Sequence, residues 1–358
     1  MPKTASRSLP EMETLAEQHD CLLLDLDGTL FRGAEPTVGA ADTLAAVDVR
    51  ILFITNNASR SAAEVADHLR ELGFAAKPDD VVTSAHTAAQ VLASELAPAS
   101  PVLVVGTDAL AGEIAAAGLR PVRQWSDAPV AVVQGYSPHT AWADLAEAAL
   151  AIRGGALWIA ANVDLTLPSE RGLLPGNGAM VAALRAATDL EPRVTGKPQP
   201  TLFRDALGRG EFHAPLVIGD RLDTDIEGAN ATTLPSLMVL TGVNNATDAI
   251  FAPAHRRATY IANDMRALMD SADRLRVAAQ PEWCVEVGPA EIVVTAAHSA
   301  TDGDGDGLNI VRAAANAVWN ESNTPRRRAL VGGDDASREA LRRAVDAGIL
   351  ESDSVNTS

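Results

Sequence analysis

From residue 21 onward, short continuous apolar runs alternate with alanine-rich stretches whose apolar positions recur at helical spacing. Apolar runs without polar alternation predict strands buried on both faces, as in parallel sheets, and the stretches between them predict helices. The order begins with "CLLLDL", a helix near 39–47, "RILFIT" and a helix over "SRSAAEVADHLRELG". It continues through "VLVVG", "AVVQG" and "ALWIAAN", each followed by a helical pattern, and then "LVIGD", a helix near 224–231 and "SLMVLTG". This βαβα rhythm predicts an α/β, Rossmann-like doubly wound sheet with helices on both faces.

There are more such units than one sheet comfortably holds, so an insertion is expected. Its edges fall at the linker "AAKPDD" (75–80) and the stretch "TDLEPRVTGKPQP" (188–200). The expected division is a core over 1–79 and 190–280 with an inserted α/β unit over 80–189. Past 281 the pattern changes to two short strands in "EWCVEVGPAEIVVTAA", a glycine-aspartate loop and the amphipathic helix "LNIVRAAANAVWNE". That predicts a small C-terminal α+β domain over 281–358, ending in a frayed tail, "ESDSVNTS".

Composition narrows the partners. With 358 residues, 47% hydrophobic and 21% charged, the chain reads as a soluble globular protein of more than one domain. A formal charge of −18 argues against nucleic acid or an anionic membrane as partner. Two cysteines, Cys21 and Cys284, make no disulfide framework and fit a reducing compartment. No signal-like or membrane-spanning apolar segment is evident, so a cytoplasmic protein is expected. A homo-oligomer is allowed, but the sequence does not set the oligomeric state.

The strand ends carry the chemistry. "CLLLDLDGTL" ends in Asp25 and Asp27, two residues apart and able to share the space past the strand. Paired carboxylates repel unless a cation or proton lies between them. "RILFIT" delivers Thr55 and then Asn56 and Asn57; "PRVTGKP" offers Lys197; "LVIGDRLDTD" presents Asp220 and Asp225. In an open α/β sheet these ends converge. Oxygen ligands from Asp25 and Asp220 suit Mg²⁺, which keeps waters and binds substrate phosphate. Lys197, the Thr55 hydroxyl and backbone N–H groups near Asn56 would steady the remaining phosphoryl oxygens. One carboxylate is left to attack and one to move protons. The set therefore reads as phosphoryl transfer through an aspartyl-phosphate intermediate.

In this order and spacing, "DLDGT", "ITNN", "GKP" and "GDRLDTD" resemble the motifs of the haloacid dehalogenase (HAD) phosphatases. The insertion, with "NVDLTLPSERGLLPGNGAM", resembles that of the NagD-like branch with its α/β cap. The resemblance implies a Mg²⁺-dependent phosphomonoester hydrolase acting on a small phosphorylated metabolite. It implies Asp25 as nucleophile and Asp27 as general acid, then base. It implies Mg²⁺ held by Asp25, the Asp27 carbonyl and Asp220, with Asp225 steadying a metal water or Lys197. Thr55, Asn56, Asn57 and Lys197 would hold the phosphate. With its extra C-terminal unit, the chain resembles more narrowly the glycerol 3-phosphate phosphatases of mycobacteria and their relatives. That implies glycerol 3-phosphate as substrate, with pyridoxal phosphate, a nucleotide or a sugar phosphate as alternatives. The vitamin B6 phosphatase branch carries a tryptophan–histidine pair where this chain has Thr166 and Leu167, which disfavours pyridoxal phosphate. The cap loop 162–176 offers Asn162, Asp164, Thr166 and Arg171 to hydroxyl groups.

Other readings compete. Asp225 is also placed to cap its helix, and Asn57 to hold its loop. A phospho-acceptor signalling module shares the carboxylates and lysine, but the second acid and the large insertion favour turnover. "DGDGDGL" (302–308) imitates an EF-hand start but has Ala313 where a bidentate glutamate is needed, so it reads as a flexible acidic turn. "RRR" (326–328) reads as a solvated charge run. The C-terminal unit looks faintly like a shortened acetyltransferase-type (GNAT) fold without a convincing R/Q-x-x-G-x-G/A loop. It reads as a structural or docking module.

Overall fold

The computed structural model describes residues 13–169, 171–297, 305–321 and 326–356. Its central sheet has six strands in the order Tyr260–Ala262, Ser236–Val239, Pro215–Gly219, Cys21–Leu24, Arg50–Thr55, Val81–Thr83. Every neighbouring pair is parallel. The strand Cys21–Leu24 is buried on both faces, with Leu22 and Leu24 in one apolar cluster and Cys21 and Leu23 in the other. Two covered faces explain a run with no polar alternation. From this strand the chain builds outward to one side through 50–55 and 81–83, then later to the other through 215–219, 236–239 and 260–262. The reversal opens a crevice past the carboxyl ends of Cys21–Leu24 and Pro215–Gly219.

The inserted segment forms a second parallel sheet of five strands: Arg193–Val194, Leu157–Ala160, Ala131–Gln134, Pro101–Val105, Arg120–Val122. A hairpin of Thr166–Ser169 and Gly172–Pro175 projects from it. Sheet membership does not follow the expected edges. Val81–Thr83 pairs with Arg50–Thr55, and Arg193–Val194 pairs with Leu157–Ala160. We propose that the inserted unit begins along the helix Ser84–Glu95 and ends after Val194.

The C-terminal sheet runs Trp283–Val287, Glu291–Ala296, Ala329–Gly332, Val355–Asn356, antiparallel at the first pair and parallel afterwards. Among the described residues its apolar side chains form no separate core. Ile292, Val294, Val311, Ala315, Leu330 and Leu341 join one apolar cluster with Leu222, Ile226, Met238, Ile250 and Ile261 of the first unit. Three sequence expectations are revised here, the second and third only in part. The tail is not frayed, since Val355–Asn356 supplies the fourth strand; only 357–358 lie outside the described residues. The charge run divides: Arg326 and Arg327 are exposed as read, with Arg327 pairing with Glu351 (2.8 Å) and Asp248, whereas Arg328 is largely covered and donates to Glu321 (2.7 Å) and Gly288 O (3.1 Å). The acidic turn is not free where it is described: Asp306 pairs with the fully buried Arg312, which also donates to Ile261 O at 2.7 Å. Residues 302–304 of that turn lie outside the described residues. Among the described residues no helix is long and apolar enough to cross a membrane.

Candidate active site

The crevice at the strand reversal gathers the sequence-predicted side chains. Asp25 follows Leu24 directly, its N–H donating to Ile218 O at 2.9 Å, so the ladder continues one residue beyond the strand. Asp220 follows Gly219 on the neighbouring strand and is fully buried. Asp225 lies in a single π-helical turn, Leu222–Ile226, a distortion frequent at functional sites. One carboxylate oxygen from each of Asp25, Asp220 and Asp225 falls within 4.8 Å of the others. Lys197 reaches in from the far side of the insertion. Its ammonium pairs with Asp25, pairs with Asp225 at 2.7 Å and donates to Ile54 O at 3.3 Å.

Electrostatics follow from this burial. Burial alone would lower the Lys197 pKa, but the Asp225 and Asp25 carboxylates overcome it and hold the ammonium above its ordinary value. Asp220 is pushed well up by burial, then by the Asp25 and Asp225 charges. Asp225 is raised by burial and by Asp25, with Lys197 opposing. Three carboxylates against one ammonium leave an excess of negative charge in a dry crevice. An all-oxygen donor set of this kind fits a hard divalent cation such as Mg²⁺.

Asp27 sits apart from the cluster. Its carboxylate accepts no hydrogen bond among the described residues, and the side chain is exposed at the crevice mouth. The mouth is concave, so protein surrounds a carboxylate that water still touches. The loss of bulk solvent raises its pKa, with Lys197 pulling the other way. Gly28, at φ +88°, lets the chain turn beneath Asp220, where a Cβ would lie 2.6 Å from the Asp220 carboxylate.

The second motif divides its labour. Thr55 is buried, and its Oγ1 accepts the Asn57 N–H at 3.0 Å. Asn56 grips the Lys197 backbone from both sides, accepting its N–H at 2.7 Å and donating to its carbonyl at 3.1 Å. Asn57 Oδ1 accepts the Ser59 N–H at 2.7 Å, the loop-holding geometry weighed above. Asp225 likewise does two things, accepting the Arg221 N–H at 3.1 Å with one oxygen and Lys197 with the other.

Several contributors were not singled out in the sequence. Thr29, fully buried, donates towards Asp220 (3.2 Å) and Asp25 (3.4 Å); its place four residues after Asp25 was the available signal. Val243 N–H donates to Asp220 Oδ2 at 2.6 Å from a loop with no motif of its own. Of the cap-loop residues, Asn162 is buried and donates to Asn56 O at 2.7 Å. Asp164 accepts from Asn56 at 3.2 Å and faces Arg221 at 3.5 Å, joining the insertion to the core. Thr166 and Arg171 are exposed on the hairpin with Leu165, Leu167 and Leu173.

A buried aspartate cluster bridged by lysine at the reversal of a parallel sheet, with a second aspartate at its mouth, defines a phosphoryl-transfer centre. Residues 22–120 match the haloacid dehalogenase-like hydrolase family and 194–268 the HAD-hydrolase-like family. The chain belongs to the haloacid dehalogenase-like hydrolases. It is 59% identical to the D-glycerol 3-phosphate phosphatase of Mycobacterium tuberculosis, over 93% of this chain and 96% of that one. It is 35% identical to the acid sugar phosphatase of Staphylococcus aureus, over 65% of this chain and 90% of that protein. The crystal structure of the Mycobacterium tuberculosis glycerol phosphate phosphatase in complex with magnesium superposes with a TM-score of 0.88 at 59% identity, covering 93% and 99% of the two chains. A p-nitrophenyl phosphatase from Archaeoglobus fulgidus aligns with a TM-score of 0.65 at 27% identity, covering 72% and 100%. Residues 280–345 match the GCN5-related N-acetyltransferase like domain, in line with the faint likeness read in the sequence.

Proposed function

We propose that this chain hydrolyses a small phosphomonoester, with glycerol 3-phosphate as the leading substrate, through a phosphorylated Asp25. The observation that carries the reading is the buried Asp25–Lys197–Asp225 bridge beside Asp220, opening on an otherwise unpaired Asp27. Asp25 attacks phosphorus; the bond to the alcohol oxygen breaks while Asp27 delivers its proton to that oxygen. The loss of bulk solvent around Asp27 favours its neutral form, the form an acid needs. Asp27 then takes a proton from water, which attacks the phosphorus and releases phosphate and free Asp25. Lys197, fixed by Asp225 and by the grip of Asn56 on its backbone, pairs with Asp25 and faces the charge that develops on phosphoryl oxygens. Asp25, the Asp27 carbonyl and Asp220 would hold Mg²⁺, which supplies Lewis-acid neutralisation of a phosphoryl oxygen. Thr55 adds a hydroxyl donor at the floor.

Two features support a compact polyol phosphate. The hairpin and its approach, "NVDLTLPSERGLLPG", hold no aromatic ring on which a base or pyridine could stack. The relative at 59% identity is named for D-glycerol 3-phosphate. The relative at 35% identity is named an acid sugar phosphatase, which makes a sugar phosphate the competing substrate. Phosphate release measured over glycerol 3-phosphate, a sugar phosphate, pyridoxal 5′-phosphate and AMP tests the reading. Glycerol 3-phosphate should give the highest kcat/KM, and Asp25→Asn should release nothing. A tenfold preference for another of the four, about 1.4 kcal/mol in transition-state binding, would overturn the substrate. Turnover by Asp25→Asn would overturn the mechanism.

A further inference from the structure

The loop that follows the strand Ser236–Val239 does two jobs at once. Facing the crevice, Thr241 Oγ1 donates to Gly28 O at 2.6 Å, Gly242 O accepts from Arg32 at 3.1 Å, and Val243 N–H donates to Asp220 Oδ2 at 2.6 Å. Asn244 Oδ1 accepts the Leu222 N–H at 2.9 Å, at the start of the turn that carries Asp225. The loop is therefore the backstop of Asp220. Residues 241–244 belong to no strand or helix, and Val243 is 65% exposed.

Facing away from the crevice, the loop runs into the short helix Ala246–Ile250, and the C-terminal unit grips the cap and first turn of that helix. Asn245 Nδ2 donates to Glu351 Oε1 at 2.9 Å, and Ala246 N–H donates to Ile349 O at 3.2 Å. Thr247 Oγ1 accepts the Glu351 N–H at 3.2 Å and lies 3.1 Å from Ser354 Oγ. Arg327 ties the parts together, donating to Glu351 Oε2 at 2.8 Å and pairing with Asp248, whose other oxygen accepts from Asn244 at 3.0 Å. Glu351 thus takes one hydrogen bond from the loop and one from Arg327 on separate oxygens. The contacts are polar and border the apolar cluster the two units share, which includes Ala246 and Ile250.

We propose that Glu351 and Arg327 are positioning residues for Asp220. Through Asn245 and Asp248 they clamp the 241–248 segment, keep the Val243 N–H on Asp220 Oδ2, and so hold that carboxylate's other oxygen towards Asp25. The C-terminal unit then acts on cation affinity at a site it does not touch. This rests on Asp220 as a cation ligand, and the experiment separates the two ideas.

The readout is Mn²⁺ affinity of the full-length protein by electron paramagnetic resonance, with no substrate present. Arg327→Ala/Glu351→Ala should bind Mn²⁺ roughly ten- to hundredfold more weakly, the range for loss of groups that orient a ligand. Glu351→Gln, which keeps the acceptor for Asn245, should recover part of that affinity. Leu330→Ala, in the shared apolar cluster, should lower Tm without weakening Mn²⁺ binding. Unchanged affinity in the folded double variant, or affinity that merely tracks Tm across both, overturns the clamp. If the double variant does not fold, Asn245→Ala replaces it, and unchanged affinity there overturns the clamp equally. Asp220→Asn is the control: if it binds Mn²⁺ as tightly as the unaltered protein, the cation reading of Asp220 fails, and the clamp with it.

Discussion

Replacing Lys197 by methionine keeps the apolar stem and removes only the charge. The Lys197 side chain is 3% exposed and that of Asp225 1%, so water cannot screen what is left behind. At 2.7 Å and an effective dielectric of about 20, the lost attraction to Asp225 alone is about 6 kcal/mol. Desolvating the ammonium offsets part of this, and removing one partner of a buried pair typically costs about 3–5 kcal/mol. Proton uptake by Asp220 or Asp225, both already shifted upwards, sets the ceiling on the loss. Against a total stability of roughly 5–15 kcal/mol, that is a large fraction. Denaturant unfolding in EDTA at pH 7 should show Lys197→Met less stable by about 3–5 kcal/mol. A divalent cation among the carboxylates should recover part of the deficit. Turnover at saturating Mg²⁺ should still fall by roughly 10²–10³, the range for a lost charge-stabilising donor. Stability in EDTA within about 1 kcal/mol of the unaltered protein would refute the view that Lys197 balances this cluster.

Asp27→Asn should cost about 10²-fold or more on glycerol 3-phosphate and much less on p-nitrophenyl phosphate, whose leaving group scarcely needs a proton; equal losses in kcat would count against the acid role. Gly242→Ala should weaken Mg²⁺ binding in calorimetry, because the added Cβ would collide with the Asp220 carboxylate; unchanged affinity would mean that the loop yields freely. His86 is held above its ordinary value of 6.5 by its hydrogen bond to Glu113, and burial opposes this. A histidine raised on folding adds stability that is fully present below about 6.5 and is lost as pH rises through the raised value. Glu113→Gln should therefore be less stable than the parent at pH 5 and converge with it above that value. A constant gap from pH 5 to pH 9 in urea unfolding would contradict the assignment.

The strand ends that carry Asp25, Thr55 and Asp220 were legible because each stands after an unbroken apolar run. Asp25, Asp220 and Asp225 meet where those runs said they would, and Lys197, which follows no such run, was legible from its motif alone. Elements of two or three residues, such as Arg193–Val194 and Val355–Asn356, were not legible. Their side chains carry no period; backbone pairing with a neighbour already in place defines them. Arg328 read as solvated because charge runs usually are, and nothing in the run reveals that Glu321 and Gly288 O cover it. The two roles of Asp225 could not be divided in the sequence, since a helix-start aspartate and a lysine partner look alike there. The grip of Asn56 on Lys197 spans 141 residues, a separation that only the finished fold closes.

The reversal at the middle of the six-stranded sheet also bears on the order of events during synthesis. Cys21–Leu24 is the first of those strands to leave the ribosome, yet one of its two neighbours, Pro215–Gly219, emerges only after the whole five-stranded sheet. Until then the nascent chain presents Cys21–Leu24 with one long edge open, an apolar strand with unpaired amides. The inserted sheet has its strands close together in sequence and is free to fold during this wait; the half-built core is not. Newly made chains should therefore be most prone to aggregation, and most in need of a chaperone, in the interval between completion of the insertion and arrival of residue 219.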